Sequence, residues 1–310
     1  MRLVIGKELD GIPVKKLLLD RLRFSRAAVT ALKQKERGIT VNSQHKTVRY
    51  CLKEGDVVEL QIEDTKPSPR IQPSAGPIDI LYEDEHLLAV NKPPHMAVHP
   101  SKKLQDDTLA GRILYHRPPT VFRAAGRLDK DTSGVIVCAK SQVVGAAFFH
   151  LIRAHGIRKE YLLLAESNQL PPRRGEINLC IRRDPESYIS RVCFSPDGRE
   201  KETETALTRF SLLASKPPYH LFLAEPITGR THQLRVHFSS IGFPLVGDTL
   251  YGRESDLIDR QALHARRLSF SHPMTGEPLS ITADVPEDMK KAIKQVFGEI
   301  PPFEIPQETE

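Results

Sequence analysis

The most constraining stretch of this chain is the abrupt change at residues 126–140, where the polar segment GRLDKDTSG meets the unbroken apolar run GVIVCAK. An apolar run of this length, bounded by turn residues, predicts a central strand buried on both faces. Other short β-rich runs recur at Ile78–Leu81, Leu87–Val90, Tyr161–Ala165 and Leu221–Ala224. The clearest helical stripe lies over 141–155, where Val144, Ala147, Phe148, Leu151 and Ile152 share one face and Gly156 ends the run. Strands mixed with a handful of helices, without regular βαβ alternation, predict an α+β domain.

At 310 residues the chain is long enough for one large domain and one small one. Residues 1–62 read as the small one. Pro13 suits a helix first turn, followed by Val14, Leu17, Leu18 and Leu22 at helical spacing. Ser25 is placed to cap a second helix carrying Ala28, Val29 and Leu32, which stops at Gly38. Ile39 and Val41 then lead into an Asn42-Ser43 turn, and Val58, Leu60 and Ile62 alternate after Gly55-Asp56. Residues 63–77, rich in Pro and polar groups, read as a linker, 78–290 as the large domain, and 291–310 as a tail.

Charge separates the two parts. The first 62 residues hold thirteen Lys/Arg against seven Asp/Glu, which accounts for the whole net charge of +6; the remainder carries thirty-two of each. Lys15, Lys16, Arg23, Arg26, Lys33 and Lys35 on the two helices form a plausible phosphate-facing surface, and an acidic partner such as nucleic acid is the natural reading. A solvated basic face is the alternative. The N-terminus has only a three-residue apolar run before Gly6 and Lys7, so neither a signal peptide nor a membrane span is expected, and a cytoplasmic address follows. Cys51, Cys138, Cys180 and Cys193 are widely spaced and form no CxxC pair, which fits reduced thiols rather than disulfides or structural zinc.

Three polar segments could carry chemistry. A loop anchored to a rigid strand can hold a reactive side chain both exposed and fixed, which makes Asp129 a candidate; taken alone, Asp129 and Asp131 read first as turn residues bonded to Thr132 and Ser133, and only the polar segments elsewhere in the chain overturn that reading. KEY at 159–161 opens a strand and sets an aromatic beside a basic residue, a pairing suited to base stacking. TGRTHQLRVHFSSIGFPLVGDTLYG, 228–252, is dense in polar groups, with Arg230, His232, Arg235 and His237 expected on one helix after the Thr228-Gly229 turn. Arg235 there could reach a buried carboxylate. His232 and His237 are five residues apart, unlike the i,i+4 pairs of zinc enzymes, so no metal is expected. LHARRLSFSHPMTGE, 263–277, adds a basic and aromatic stretch whose Pro273 and Gly276 frame a turn.

Residues 11–62 resemble the small RNA-binding domain named after ribosomal small-subunit protein four. Together with YEDEHLLAVNKPPHMAVHPS at 82–101, GRLDKDTSG, KEY, TGRTHQLRVHF, GDTLYG and LHARRLSFSHPMTGE, in that order, they resemble the RluA-type pseudouridine synthases. The resemblance implies a mixed, mainly antiparallel sheet in the large domain, with a small α/β RNA-binding domain before it. It implies Asp129 as nucleophile, Tyr161 stacked on the target base, Arg235 as partner of Asp129, and Arg127 as an aid to base flipping. Lys159, Arg230, His232 and Gln233 are expected to contact substrate. Neither metal nor organic cofactor is implied. The expected substrate is RNA, ribosomal RNA ahead of tRNA, and the expected state is a monomer. Gly126 stands where that family usually has His, a choice seen in the related small-subunit branch. Two rival readings are a non-catalytic RNA-binding or ribosome-assembly protein and a nucleoside hydrolase or glycosidase, the latter marked by release of free uracil and a pair of carboxyls.

Overall fold

The computed structural model describes residues 1–22, 24, 26–62, 71–100, 107–116, 123–195 and 204–303. In the N-terminal part, α1 (Val14–Lys16) continues as a wider turn over Leu17–Arg21, and α2 covers Arg26–Gln34. β1 (Arg2–Val4), β2 (Ile39–Val41), β3 (Gln44–His45) and β4 (Val57–Leu60) form an antiparallel sheet in the order β1-β4-β2-β3. The expected apolar stripe is buried: Val14, Leu17 and Leu18 share one core with Val29, Leu32, Ile39, Val41, Val58 and Leu60. Asn42 and Ser43 both take positive φ, 50° and 64°, the backbone hand of a tight hairpin turn. Arg23 and Ser25 lie outside the described residues, as do 63–70 of the expected linker and 304–310 of the expected tail.

Ten strands build the larger sheet: β5 (Asp79–Glu83), β6 (Leu87–Lys92), β7 (Ser133–Ala139), β8 (Ile157–Glu166), β9 (Arg174–Arg183), β10 (Arg191–Phe194), β11 (Glu204–Lys216), β12 (Tyr219–Pro226), β13 (Leu263–Ser271) and β14 (Pro278–Thr282). Their order is β10-β9-β11-β12-β8-β13-β7-β6-β5, with β14 paired to β13. Among the described strands every pairing is antiparallel except β13 with β7. The architecture is thus α+β, with a large, mainly antiparallel sheet and a smaller N-terminal sheet.

The apolar runs are explained by layers on both faces. Along β8, Leu162 and Leu164 face α6 (Glu287–Phe297), while Leu163 and Ala165 face α5 (Gln233–Ser240). Along β7 and β6, Ile136, Cys138, Leu88 and Val90 pack with α3 (Leu109–His116), whereas Val135, Val137, Leu87 and Ala89 pack with α4 (Gln142–Arg153). All seven residues of β7 are buried, as an unbroken run requires. Ser141 caps α4, its hydroxyl accepting the Val144 N–H at 3.2 Å. Val143 of α4 also enters the core of the small unit.

Two expected boundaries meet ordered structure. Residues 71–77, assigned to the linker, lie against α3: Ile71 packs on its core, the Ser74 N–H donates to the Gly111 carbonyl at 3.0 Å, and His116 bonds the Gly76 carbonyl. The expected limit at 290 falls inside α6, whose Met289, Ala292, Ile293 and Val296 are buried against β8 and β12.

Candidate active site

Where β13 meets β7 in parallel, His264 pairs Ser133 and Ala265 pairs Gly134. The approach is close enough that a Cβ on Gly134, at φ 115°, would lie 2.1 Å from the Ala265 carbonyl oxygen, so glycine is required there. The polar loop that enters β7 at this seam carries Asp129. Its carboxylate, 28% exposed, accepts a hydrogen bond from Arg235 Nη1 at 3.2 Å.

Arg235 is buried in α5, between Leu234 and Val236, which pack into separate apolar clusters. Its Nε and Nη2 donate to Asp248 at 2.7 and 2.8 Å, a bidentate pair on a carboxylate that is fully buried. Burial works against the guanidinium charge, but Asp248 and then Asp129 hold it above its ordinary range. Asp248 also accepts the Leu250 and Tyr251 N–H groups, so neither buried charge is unpaired. The Tyr251 ring lies 5.2 Å below the guanidinium.

His232 approaches Asp129 from the other side, its Nε2 3.9 Å from Oδ1. Burial pushes its imidazole below the usual range, ahead of the opposing pull of Asp129. Tyr251 oxygen accepts the Arg191 N–H at 2.8 Å and lies 2.9 Å from His232 Nδ1. A Tyr251 O–H donated to Nδ1 leaves the Nε2–H of a neutral His232 toward Asp129.

Asp129, Arg127, Lys159, Tyr161, Arg230, His232, Gln233 and Arg235 all line one cavity of about 210 Å³, with Leu128, Ile152, Leu263 and Leu268 among its apolar walls. Asp129 is the only carboxylate among these lining residues. Burial, then the charge of Asp129, pushes the Tyr161 phenol up, so it stays neutral at pH 7. Burial pushes the Lys159 amine down.

Three expectations are corrected. Arg230 and His232 do not lie on the helix: α5 begins at Gln233, and His232 takes a left-handed φ of 58° at its N-cap. Gln233 is committed to the scaffold. Its Oε1 accepts from Arg230 N–H and Thr228 Oγ1, and its Nε2 donates to the Leu207 carbonyl and Thr208 Oγ1, which uses the whole carboxamide. Arg230 itself holds Glu204 at 2.8 Å and the Thr205 carbonyl. The alternative in which both aspartates bond to Thr132 and Ser133 meets other partners: Thr132 Oγ1 accepts from Gln261 and Ser133 Oγ is 2.9 Å from His264 Nδ1. Asp131 turns instead to His95 at 3.1 Å.

Residues without an assigned role in the sequence fix this loop. Lys92, fully buried, donates to the carbonyls of Pro93, Met96 and Lys130 at 2.8–2.9 Å. Burial pushes its amine down to about 7, against the pull of Asp131 and Asp129; three carbonyls favour the ammonium form, which has three N–H donors. Arg260 donates to the Asp131 carbonyl at 3.0 Å and grips Asp288 of α6 with Nε and Nη2. Lys92 and Asp248 lie in segments that carry the family resemblance, without a role of their own there, and Arg260 lies in the mixed polar stretch RESDLIDRQ, which marks no single residue. His237, weighed as a ligand, is buried beside Thr208 and pushed down to about 4 by burial. Among the described residues no cluster of three metal-ligating side chains occurs.

The geometry defines a site built around one accessible carboxylate. A hydrolytic glycosidase needs two, about 5 or 6.5–9.5 Å apart; here Asp248 is sealed behind Arg235, and Asp131 turns to His95 and does not line the cavity. The model of the RNA pseudouridylate synthase family matches residues 86–240, which span β6 through α5. The RNA pseudouridine synthase YjbO of Bacillus subtilis is 36% identical over 281 residues, 88% of this chain and 95% of the relative. Ribosomal large subunit pseudouridine synthase D of Zymomonas mobilis is 34% identical over 282 residues, 84% of this chain and 86% of the relative. Among solved structures, human RNA pseudouridylate synthase domain containing 1 aligns with a TM-score of 0.57 at 28% identity, over 70% of this chain and 87% of that one.

The chain belongs to the RNA pseudouridine synthase family, and its activity is the isomerisation of uridine to pseudouridine in RNA.

Proposed function

We propose that this enzyme modifies ribosomal RNA of the large subunit, with Asp129 as nucleophile, Tyr161 as the stacking surface for the target uracil and Arg235 as the group that holds Asp129. The observation that carries the reading is the joint placement of a lone accessible carboxylate, its buried guanidinium and an aromatic ring around one cavity. The naming of a similar protein as a large-subunit synthase supports the choice of substrate.

The reaction must break the N1–C1′ bond of uridine, turn the uracil while it stays bound, and join C1′ to C5, which loses its proton while N1 gains one, so that the product is an isomer. Asp129 serves either by attacking C1′ or by removing the ribose 2′ proton. The target base must first leave its stack, at a cost of a few kcal/mol that an aromatic surface partly offsets. Arg127, exposed and among the cavity's lining residues, fills the vacated position or grips the flanking phosphate in this reading. Lys159, Arg230 and His232 are the remaining polar contacts proposed for the substrate; Gln233 acts through the loop it holds.

Residues 1–62 act as an RNA-binding unit of the kind found in ribosomal small-subunit protein four. Lys15, Lys16, Arg26 and Lys33 are exposed on its helices; Lys35 is partly committed to the Gln61 carbonyl at 2.9 Å. The larger unit begins near residue 71 and includes α6. The enzyme works in the cytoplasm as a monomer. Pseudouridine mapping of total rRNA and tRNA from cells with and without this gene tests the substrate. A site lost from large-subunit RNA is expected; loss confined to tRNA, or no loss, contradicts the choice.

A further inference from the structure

The β9–β10 connection, residues 184–190, presents an aromatic side chain to solvent on a loop that is internally braced. Tyr188 is 93% exposed and Ile189 beside it 64%. Asp184 anchors the loop: its carboxylate accepts the Glu186 N–H at 3.0 Å and the Ser190 hydroxyl at 2.8 Å, and these bonds hold it below the usual carboxylate range. Ser187 Oγ accepts the Ile189 and Ser190 N–H groups, and the Arg191 guanidinium donates to the Ile189 and Ser190 carbonyls at 3.0 Å. An exposed tyrosine on a slack loop would lose ordering entropy on contact with a ligand; here much of that cost is already met by the fold.

The surroundings suit a polyanion with a flat face. Arg182, Arg183, Pro185 and Tyr188 line a concavity of about 470 Å³, the size class of small-ligand pockets. Arg182 stacks 4.4 Å over the Phe194 ring, which orients its guanidinium. With Arg191 these arginines outnumber Glu186 and the internally bonded Asp184. The loop is also coupled to the site: the Arg191 N–H donates to Tyr251 oxygen, which contacts His232, which faces Asp129. Three residues of chain from Arg191 reach at most about 10 Å, so Tyr188 stays within that reach of the backbone that contacts Tyr251.

We propose that Tyr188 is a stacking platform for an unpaired base flanking the target uridine, with Arg182 and Arg183 as its phosphate contacts. This rests on the reading of structured RNA as substrate. Stacking on an aromatic tolerates any base, so the platform sets position along the strand rather than sequence.

The chain has no tryptophan, so Tyr188→Trp introduces a single indole reporter. Unmodified transcripts of large-subunit rRNA and of tRNA serve as probes. Tyr188→Ala is expected to raise KM about tenfold on the transcript that wild type modifies, with kcat held, and Tyr188→Phe to restore it. Indole fluorescence of Tyr188→Trp should be quenched as that transcript is added. An unchanged KM in Tyr188→Ala, or an indole unmoved by a transcript that wild type modifies, overturns the proposal. If wild type modifies neither transcript while the indole is still quenched, the substrate reading fails and the platform stands.

Discussion

Arg235 joins two carboxylates of opposite situation, one sealed and one accessible. Its bidentate bonds to Asp248 fix the plane of the guanidinium, and the remaining Nη1 then has one direction left, toward Asp129. Lysine keeps the charge but cannot make this fork. Arg235→Lys is therefore expected to lower kcat by at least about tenfold and to cost on the order of 2 kcal/mol in stability, because Asp248 stays buried with weaker pairing. Turnover assays and thermal melts check both; wild-type kcat would show that the charge alone suffices. The Asp129–Arg235 pair was implied by motif resemblance, and the structure places the two groups at hydrogen-bond distance. Asp248 was not legible as a partner, since nothing in GDTLYG says that its carboxylate turns inward beneath α5.

At the scale of elements the seam between β7 and β13 decides where the loop lies. His264, fully buried, joins Ser133 at the start of β7 to the Ala283 carbonyl beyond β14. Burial pushes its imidazole down to about 4. A folded-state value below the unfolded one, near 6.5, means that its contribution is complete above pH 6.5 and is lost as pH falls toward 4. Urea unfolding at pH 7 and pH 5 should differ by about 2 kcal/mol from this residue, with a similar amount from His237. His264→Asn should flatten part of that dependence, and an unchanged slope would contradict the assignment.

Strands β6, β7, β8 and β12 were legible because runs covered on both faces need unbroken apolar sequence, whereas β5, an edge strand with no buried residue, showed itself only through Ile78, Ile80 and Leu81. β9, β10 and β11 were not, because their half-exposed faces mix in polar residues such as Glu176, Arg182, Thr205 and Arg209. The later part of α6, 291–297, reads as tail in sequence because its buried Ala292, Ile293 and Val296 are interleaved with Lys291 and Lys294.

For the whole molecule, the uneven charge becomes spatial: exposed Lys15, Lys16 and Lys33 sit on the small unit, which meets the larger one through Val143 of α4. If each neutralises one phosphate, Lys15, Lys16 and Lys33 changed together to Gln should weaken RNA binding and reduce the log–log salt slope by about 3. A slope equal to wild type would move the RNA surface elsewhere. The central claim is that one carboxylate performs the isomerisation. Its most direct measurement incubates an unmodified large-subunit rRNA transcript with the wild-type protein and with Asp129→Asn, followed by carbodiimide primer-extension mapping. The expected result is a pseudouridine stop with wild type and none with Asp129→Asn, at similar RNA affinity. A stop formed by the variant, or free uracil released by wild type, would contradict it.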